Sequence, residues 1–150
     1  MMTYNVNAQG QEQLALNPYR DEDVVFFSDG LVGFEDCKRF VIAENKNLEP
    51  LYLMQCVDRP EVGFLVLDPR MLIEDYCSDL LKDEQLLPLV TVIVGETPEE
   101  CTANLRAPVL IDYVNMAGRQ TILREPQYSV THQVIAPQQK ARRATASAIN

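Results

Sequence analysis

Along the middle of the chain, short runs of apolar residues rich in Val, Ile, Phe and Tyr are set apart by polar stretches that hold turn residues. Seven such runs stand out: Asp23 to Phe27, Arg39 to Ala43, Leu51 to Val57, Val62 to Leu67, Leu89 to Val94, Val109 to Val114 and Gln120 to Leu123. Their length and their content of Val, Ile, Phe and Tyr predict β-strands. Between the last two, Asn115-Met116-Ala117-Gly118 supplies turn residues, which predicts a β-hairpin with a longer loop. The expected fold is all-β in the main, a small antiparallel β-barrel-like fold with two or three short helices.

Two of those helices have start signals. Thr97-Pro98-Glu99-Glu100 carries an N-cap threonine, a proline at the first helical position and a glutamate at the third, and Pro108 limits the helix to about two turns. Asp68-Pro69 offers a carboxylate cap before Met71-Leu72-Ile73. The acidic stretch Ser78 to Leu87 reads as a short surface helix or a loop.

The ends lack this periodicity. Residues 1–11 are expected to be a flexible N-terminal segment, 12–135 one β-barrel domain, and 136–150 a flexible basic tail. A chain of 150 residues with 47% hydrophobic and 23% charged residues suits one domain with a real core. The longest apolar runs, such as Leu86 to Val94, fall short of a membrane span, and Met1 to Asn7 shows no signal-peptide pattern. The expectation is a cytoplasmic protein with no membrane partner.

Charge sharpens the picture. The formal charge is -9, and because Lys140, Arg142 and Arg143 sit in the tail, residues 1–135 hold ten basic against 22 acidic groups. Such a body repels nucleic acid and attracts basic partners. Asp58 to Glu100 is the most acidic stretch, eleven acids against Arg59, Arg70 and Lys82.

Signals for chemistry are sparse. His132 is the one histidine, Ser129 beside it has no nucleophile-elbow glycines, and the better reading is a strand-end histidine. Cys37, Cys56, Cys77 and Cys101 lie too far apart for a zinc pattern and read as reduced, mostly buried thiols. Gly30-Leu31-Val32-Gly33 reads as a turn between two strands sooner than as a phosphate cradle. Acid pairs such as Asp21/Asp23, Glu74/Asp75 and Asp83/Glu84 read as a solvated face. No catalytic residue, cofactor or metal is expected, which points to a binding protein; a small acidic ligand-binding or enzymatic barrel and a structural subunit are the alternatives.

Four blocks carry a resemblance. Gly30 to Phe40 (GLVGFEDCKRF), Tyr52 to Pro69 (YLMQCVDRPEVGFLVLDP), Thr102 to Val109 (TANLRAPV) and Tyr128 to His132 (YSVTH), in this order, resemble the signature blocks of the FliW flagellar assembly factors. The likeness covers about residues 23–133. Departures occur at Ser28 and Val32, where the family usually has proline, at Thr131 and Gln133, where Arg and Pro are common, and between Tyr76 and Leu89, which is shorter than usual.

The resemblance implies a β-barrel-like protein without catalytic activity. It implies binding to CsrA, a small RNA-binding translational repressor, which relieves repression of flagellin synthesis, and binding to flagellin as a mutually exclusive partner. Phe34 and Tyr128 are candidate aromatic anchors or core residues. Glu35, Asp58, Glu61 and Asp68 are candidate charged contacts or ordinary solvated acids, and Asn104 and Pro108 are candidate contacts that more readily shape a turn.

Overall fold

The computed structural model describes residues 3–6, 12–15, 19–82 and 85–134. The strands are β1 (Thr3–Val6), β2 (Glu12–Ala15), β3 (Val25–Phe26), β4 (Arg39–Glu44), β5 (Tyr52–Cys56), β6 (Gly63–Leu67), β7 (Leu86–Ile93), β8 (Thr102–Ala103), β9 (Val109–Asp112), β10 (Ala117–Gln120) and β11 (His132–Gln133). β1 and β2 pair with each other, apart from the main sheet. That pairing crosses the boundary expected between residues 11 and 12, and the expected C-terminal tail lies outside the described residues.

The main sheet runs β11-β8-β7-β6-β5-β4-β3-β10-β9, and β9 also pairs with β7. The seven strands from β7 round to β9 therefore close into a ring, the expected barrel. Closure removes the free edges that an open sheet would offer to other chains. One seam departs from the antiparallel expectation: β10 meets β3 in parallel, Ala117 opposite Phe26. The ring has seven strands, and up-and-down antiparallel order can close only with an even number, so one parallel contact is forced.

Alternate side chains of each strand fill the ring. Phe40 of β4, Met54 and Cys56 of β5, Val66 of β6, Leu89 of β7, and Val109 and Ile111 of β9 form its core with Val25, Phe27 and Leu31. The intervening residues are buried too. Val41, Ala43 and Leu53 lie under Tyr19 and Val24, while Leu67, Val90 and Val92 lie under Tyr76, Leu105, Leu123 and Tyr128. Strands covered on both faces need continuous apolar runs, which is why β4 to β7 do not alternate cleanly.

The helix signals mark single 3-10 turns; among the described residues there is no α-helix. At Pro98–Glu100 the Glu100 carboxylate accepts from the N–H groups of Glu96 and Thr97, as a capping box does, but Cys101 N–H closes on Pro98 and the chain enters β8 at once. Asp68 Oδ1 likewise accepts from Arg70 N–H at 2.9 Å to cap Pro69–Met71. The expected hairpin is tighter than its sequence suggests: Ala117 and Gly118 lie inside β10, and Leu123 falls beyond it in the second core. Gly118 is needed there, because a Cβ would sit 2.3 Å from Cζ of Phe27.

Candidate functional site

Pairing directions place one end of the barrel where β3, β5, β7 and β10 finish and β4, β6 and β9 begin. Two loops build this mouth. The first runs from Ser28 to Lys38 and turns on Gly30 (φ +65°) and Gly33 (φ +85°). At Gly30 a Cβ would lie 2.7 Å from backbone atoms of Phe34 and Glu35, so the turn requires glycine twice over, for space and for torsion. Leu31 and Phe34 bond back to one another and point inward, while Val32 at the tip is 71% exposed.

The second loop is Asn104 to Pro108. Ala103 pairs with Val92 and Val109 with Leu89, so six residue steps on one side span three on the other and the chain bulges outward. The bulge is bonded throughout. Asn104 Oδ1 accepts from Arg106 N–H, Arg106 Nε donates to Tyr128 O, and Leu105 N–H donates to Ser129 O. Gln120 bridges the two loops, accepting from Val32 N–H at 2.9 Å and donating to Ala107 O at 3.2 Å.

Between these loops and the ends of β6 and β7 lies an open groove of about 730 Å³. Its floor includes Phe64, Leu65 and Val92, and its rim is formed by Val32, Ile93, Val94, Ile122 and Val130, all of them exposed. Large exposed apolar patches on a small barrel mark places that another molecule covers. Burying five partly exposed aliphatic side chains yields roughly 5 kcal/mol in gross terms. That is no more than the freedom lost on association, so apolar contact must be joined by another attraction to hold a partner.

Acids supply one. Glu35, Asp36 and Glu61 sit at the Val32 side with Arg59, which pairs with Asp36 at 3.0 Å and Glu61 at 3.3 Å. Beyond Val94 come Glu96, Glu99 and Glu100, all exposed. Asp58 is bound by the guanidinium of Arg39, whose hydrogen bonds hold its carboxyl below the usual aspartate range.

The eight residues singled out from sequence divide accordingly. Phe34 is half-buried, edge to face on Phe64 at 5.2 Å, and closes the barrel beneath the groove. Glu35, Asp58, Glu61 and Asn104 stand around the same end, with Pro108 buried at the base of the bulge. Asp68 lies at the opposite end, after β6, in a bidentate pair with Arg70. Tyr128 is 7% exposed; its ring meets Tyr76 at 4.9 Å and its hydroxyl accepts from Cys77 N–H at 3.1 Å.

The rim residues Val32, Ile93, Val94, Ile122 and Val130 are absent from the sequence-derived set. The signals in the sequence are the Leu31-Val32 pair between two glycines and the Ile93-Val94 pair at the end of an apolar run. His132 takes the strand-end place expected of it, opposite Ala103. Among the described residues no cluster of His, Cys, Asp or Glu is arranged to hold a metal, and no helix is long and apolar enough to cross a membrane.

Comparison with known proteins agrees with this architecture. The family profile described as FliW protein matches residues 10–134. A flagellar assembly factor FliW of Caldanaerobacter subterraneus is 35% identical, the match covering 78% of this chain and 85% of the relative. Proteins of the same description from Ruminiclostridium cellulolyticum and Bacillus pumilus are 34% and 31% identical, covering 81% and 75% of this chain and 89% and 85% of theirs. The crystal structure of a flagellar assembly factor FliW superposes with a TM-score of 0.71 at 23% identity, over 89% of this chain and 98% of that one, which shows the shared fold. With the signature blocks GLVGFEDCKRF and TANLRAPV now seen to form the two loops of the barrel mouth, the chain belongs to the FliW family.

Proposed function

We propose that this protein is a cytoplasmic regulator of flagellum assembly that works by being occupied: it binds CsrA, relieving repression of flagellin synthesis, and it binds flagellin, one partner at a time. Neither partner is altered covalently, and the protein has no catalytic activity. The observation that carries the reading is the exposed apolar groove flanked by acids, in a chain of the FliW family.

Exchange between two partners then follows concentration. Whichever exceeds its Kd by more fills the shared protein, and rising flagellin frees CsrA. A surface with a charge of -9 speeds encounter with a protein that carries cationic, RNA-binding surface. Glu35, Asp58 and Glu61 at the mouth are the acids best placed for this steering.

The test is gel filtration of the purified protein with CsrA, with flagellin, and with both. Each is expected to co-elute alone, and excess flagellin is expected to displace CsrA. Failure of both to co-elute at low salt overturns the reading, as does a ternary complex in which both remain bound.

A further inference from the structure

We infer that the barrel mouth receives an extended segment of a partner protein, apolar at alternate residues and carrying one carboxylate, which adds as a strand to edges the barrel leaves open. This rests on the reading that the protein works by binding other proteins, and it names the conformation and charge of what is bound. The backbone at the mouth sets the requirement, because an N–H that loses water must find an acceptor.

The ladder between β6 and β7 stops at Val66 opposite Thr91, although β6 reaches back to Gly63 and β7 on to Ile93. On their far sides both strands are still paired, Gly63 with Gln55 and Ile93 with Thr102. The groove opens where the two part, so Phe64 from the core inside the ring and Val92 from the core outside it both line it. Past β10, Thr121 N–H donates to Pro108 O and Leu123 N–H to Arg106 O, which turns the N–H and C=O of Ile122 to the opposite side. Among the described residues the N–H groups of Val94, Ile122 and Val130 have no partner.

These groups select an extended chain. A helix arrives with its backbone bonds already made and would cover the three N–H groups without giving them acceptors, as would a hydrocarbon chain. An extended segment presents a C=O and an N–H along each edge and sends alternate side chains toward Phe64, Leu65 and Val92. Charge in the groove has the opposite sign from the body as a whole. Arg106 is the one charged side chain among the described residues that line it. Arg20, Arg39, Arg59 and Arg70 each pair with a carboxylate, whereas Arg106 pairs with none among the described residues. Its Nε is held by Tyr128 O, which leaves the terminal nitrogens for a carboxylate of the segment. One such group suffices, since a chain of charge -9 repels a more acidic ligand.

The test uses the full chain and a synthetic peptide of about nine residues, capped at both ends, with valines at alternate positions, threonines between them and one central glutamate. Its controls are the same peptide with glutamine for the glutamate, and a helical peptide of leucine and alanine that keeps the glutamate. Titration followed by NMR to about 1 mM peptide is expected to show binding of the first and at least fivefold weaker binding of either control. Amide exchange with water is expected to slow at Val94 and Ile122 in the first complex. Arg106→Gln is expected to erase the difference between the glutamate and glutamine peptides. Ile122→Pro removes an N–H that no described residue accepts, and as a second variant it is expected to weaken the first peptide at least fivefold.

No binding of the extended peptide, equal or tighter binding of the helical one, or unchanged behaviour in either folded variant overturns the inference. So does displacement of the peptide by a synthetic copy of residues 136–150, which would make the chain's own tail the occupant. A dimer broken by Ile122→Pro overturns it in favour of two copies pairing edge to edge. Peptide binding without co-elution of CsrA or flagellin leaves the inference standing and removes the functional reading, and co-elution without peptide binding does the reverse.

Discussion

Single residues decide where this barrel can close. Gly118 lies flat under the ring of Phe27, and any side chain there forces the aromatic out of the core. Gly118→Ala is expected to destabilise by about 1 to 3 kcal/mol, read as a lower urea midpoint with an unchanged m-value. A turn glycine free of contacts would cost far less. The sequence suggests a turn at this position and cannot reveal the aromatic above it, because Phe27 and Gly118 are neighbours only once β10 has joined β3. Tyr128 teaches the same lesson: an aromatic in a signature block reads equally as an anchor or as core. Here its hydroxyl holds Cys77 N–H, and Tyr128→Phe is expected to cost about 1 kcal/mol by the same measurement.

At the scale of elements, five of the seven expected strands coincide in whole or large part with observed ones and Asp23 to Phe27 shrinks to Val25–Phe26, because β-branched and aromatic runs between turn residues report directly on the backbone. Gln120 to Leu123 overlaps β10 by a single residue. The sequence places the turn too late, since Ala117 and Gly118 look like loop residues without the tertiary packing that makes them strand. The two-residue strands β8 and β11 leave no signal in the sequence because two residues carry no periodicity. The β9–β10 hairpin has a titratable clasp, Asp112, which accepts from the side chain and N–H of Asn115 and from Val114 N–H. These bonds lower its carboxyl pKa. A depressed folded-state value adds stability above the ordinary aspartate pKa near 4, lost as pH falls through the folded value. Asp112→Asn is therefore expected to flatten the loss of stability seen in acid unfolding as pH falls below the ordinary aspartate range. An unaltered profile would show that the clasp contributes nothing.

Over the whole molecule, the acidic balance was legible from composition, while the site it surrounds was not. Residues 32, 93, 94, 122 and 130 come from four separate stretches, and only closure of the ring brings them to one mouth. Partners drawn by a field of this kind meet it at a rate that depends on screening. Under the proposed function, CsrA association is expected to slow severalfold between roughly 50 and 500 mM salt, with dissociation changing less, as stopped-flow fluorescence would show. Triple charge reversal at Glu35, Asp58 and Glu61 is expected to remove most of that dependence.

The parallel seam between Val25–Phe26 and Ala117–Gln120 also sets an order of events during synthesis. Strands β4 to β7 can zip up as successive neighbours while the chain emerges, but the ring stays open until residues more than ninety positions apart in the chain meet. A ribosome that has made only the first hundred or so residues therefore holds a curved, unsealed sheet. The mouth assembles last, so the nascent chain gains its exposed apolar groove only once residues 117–130 have been made and have joined the sheet.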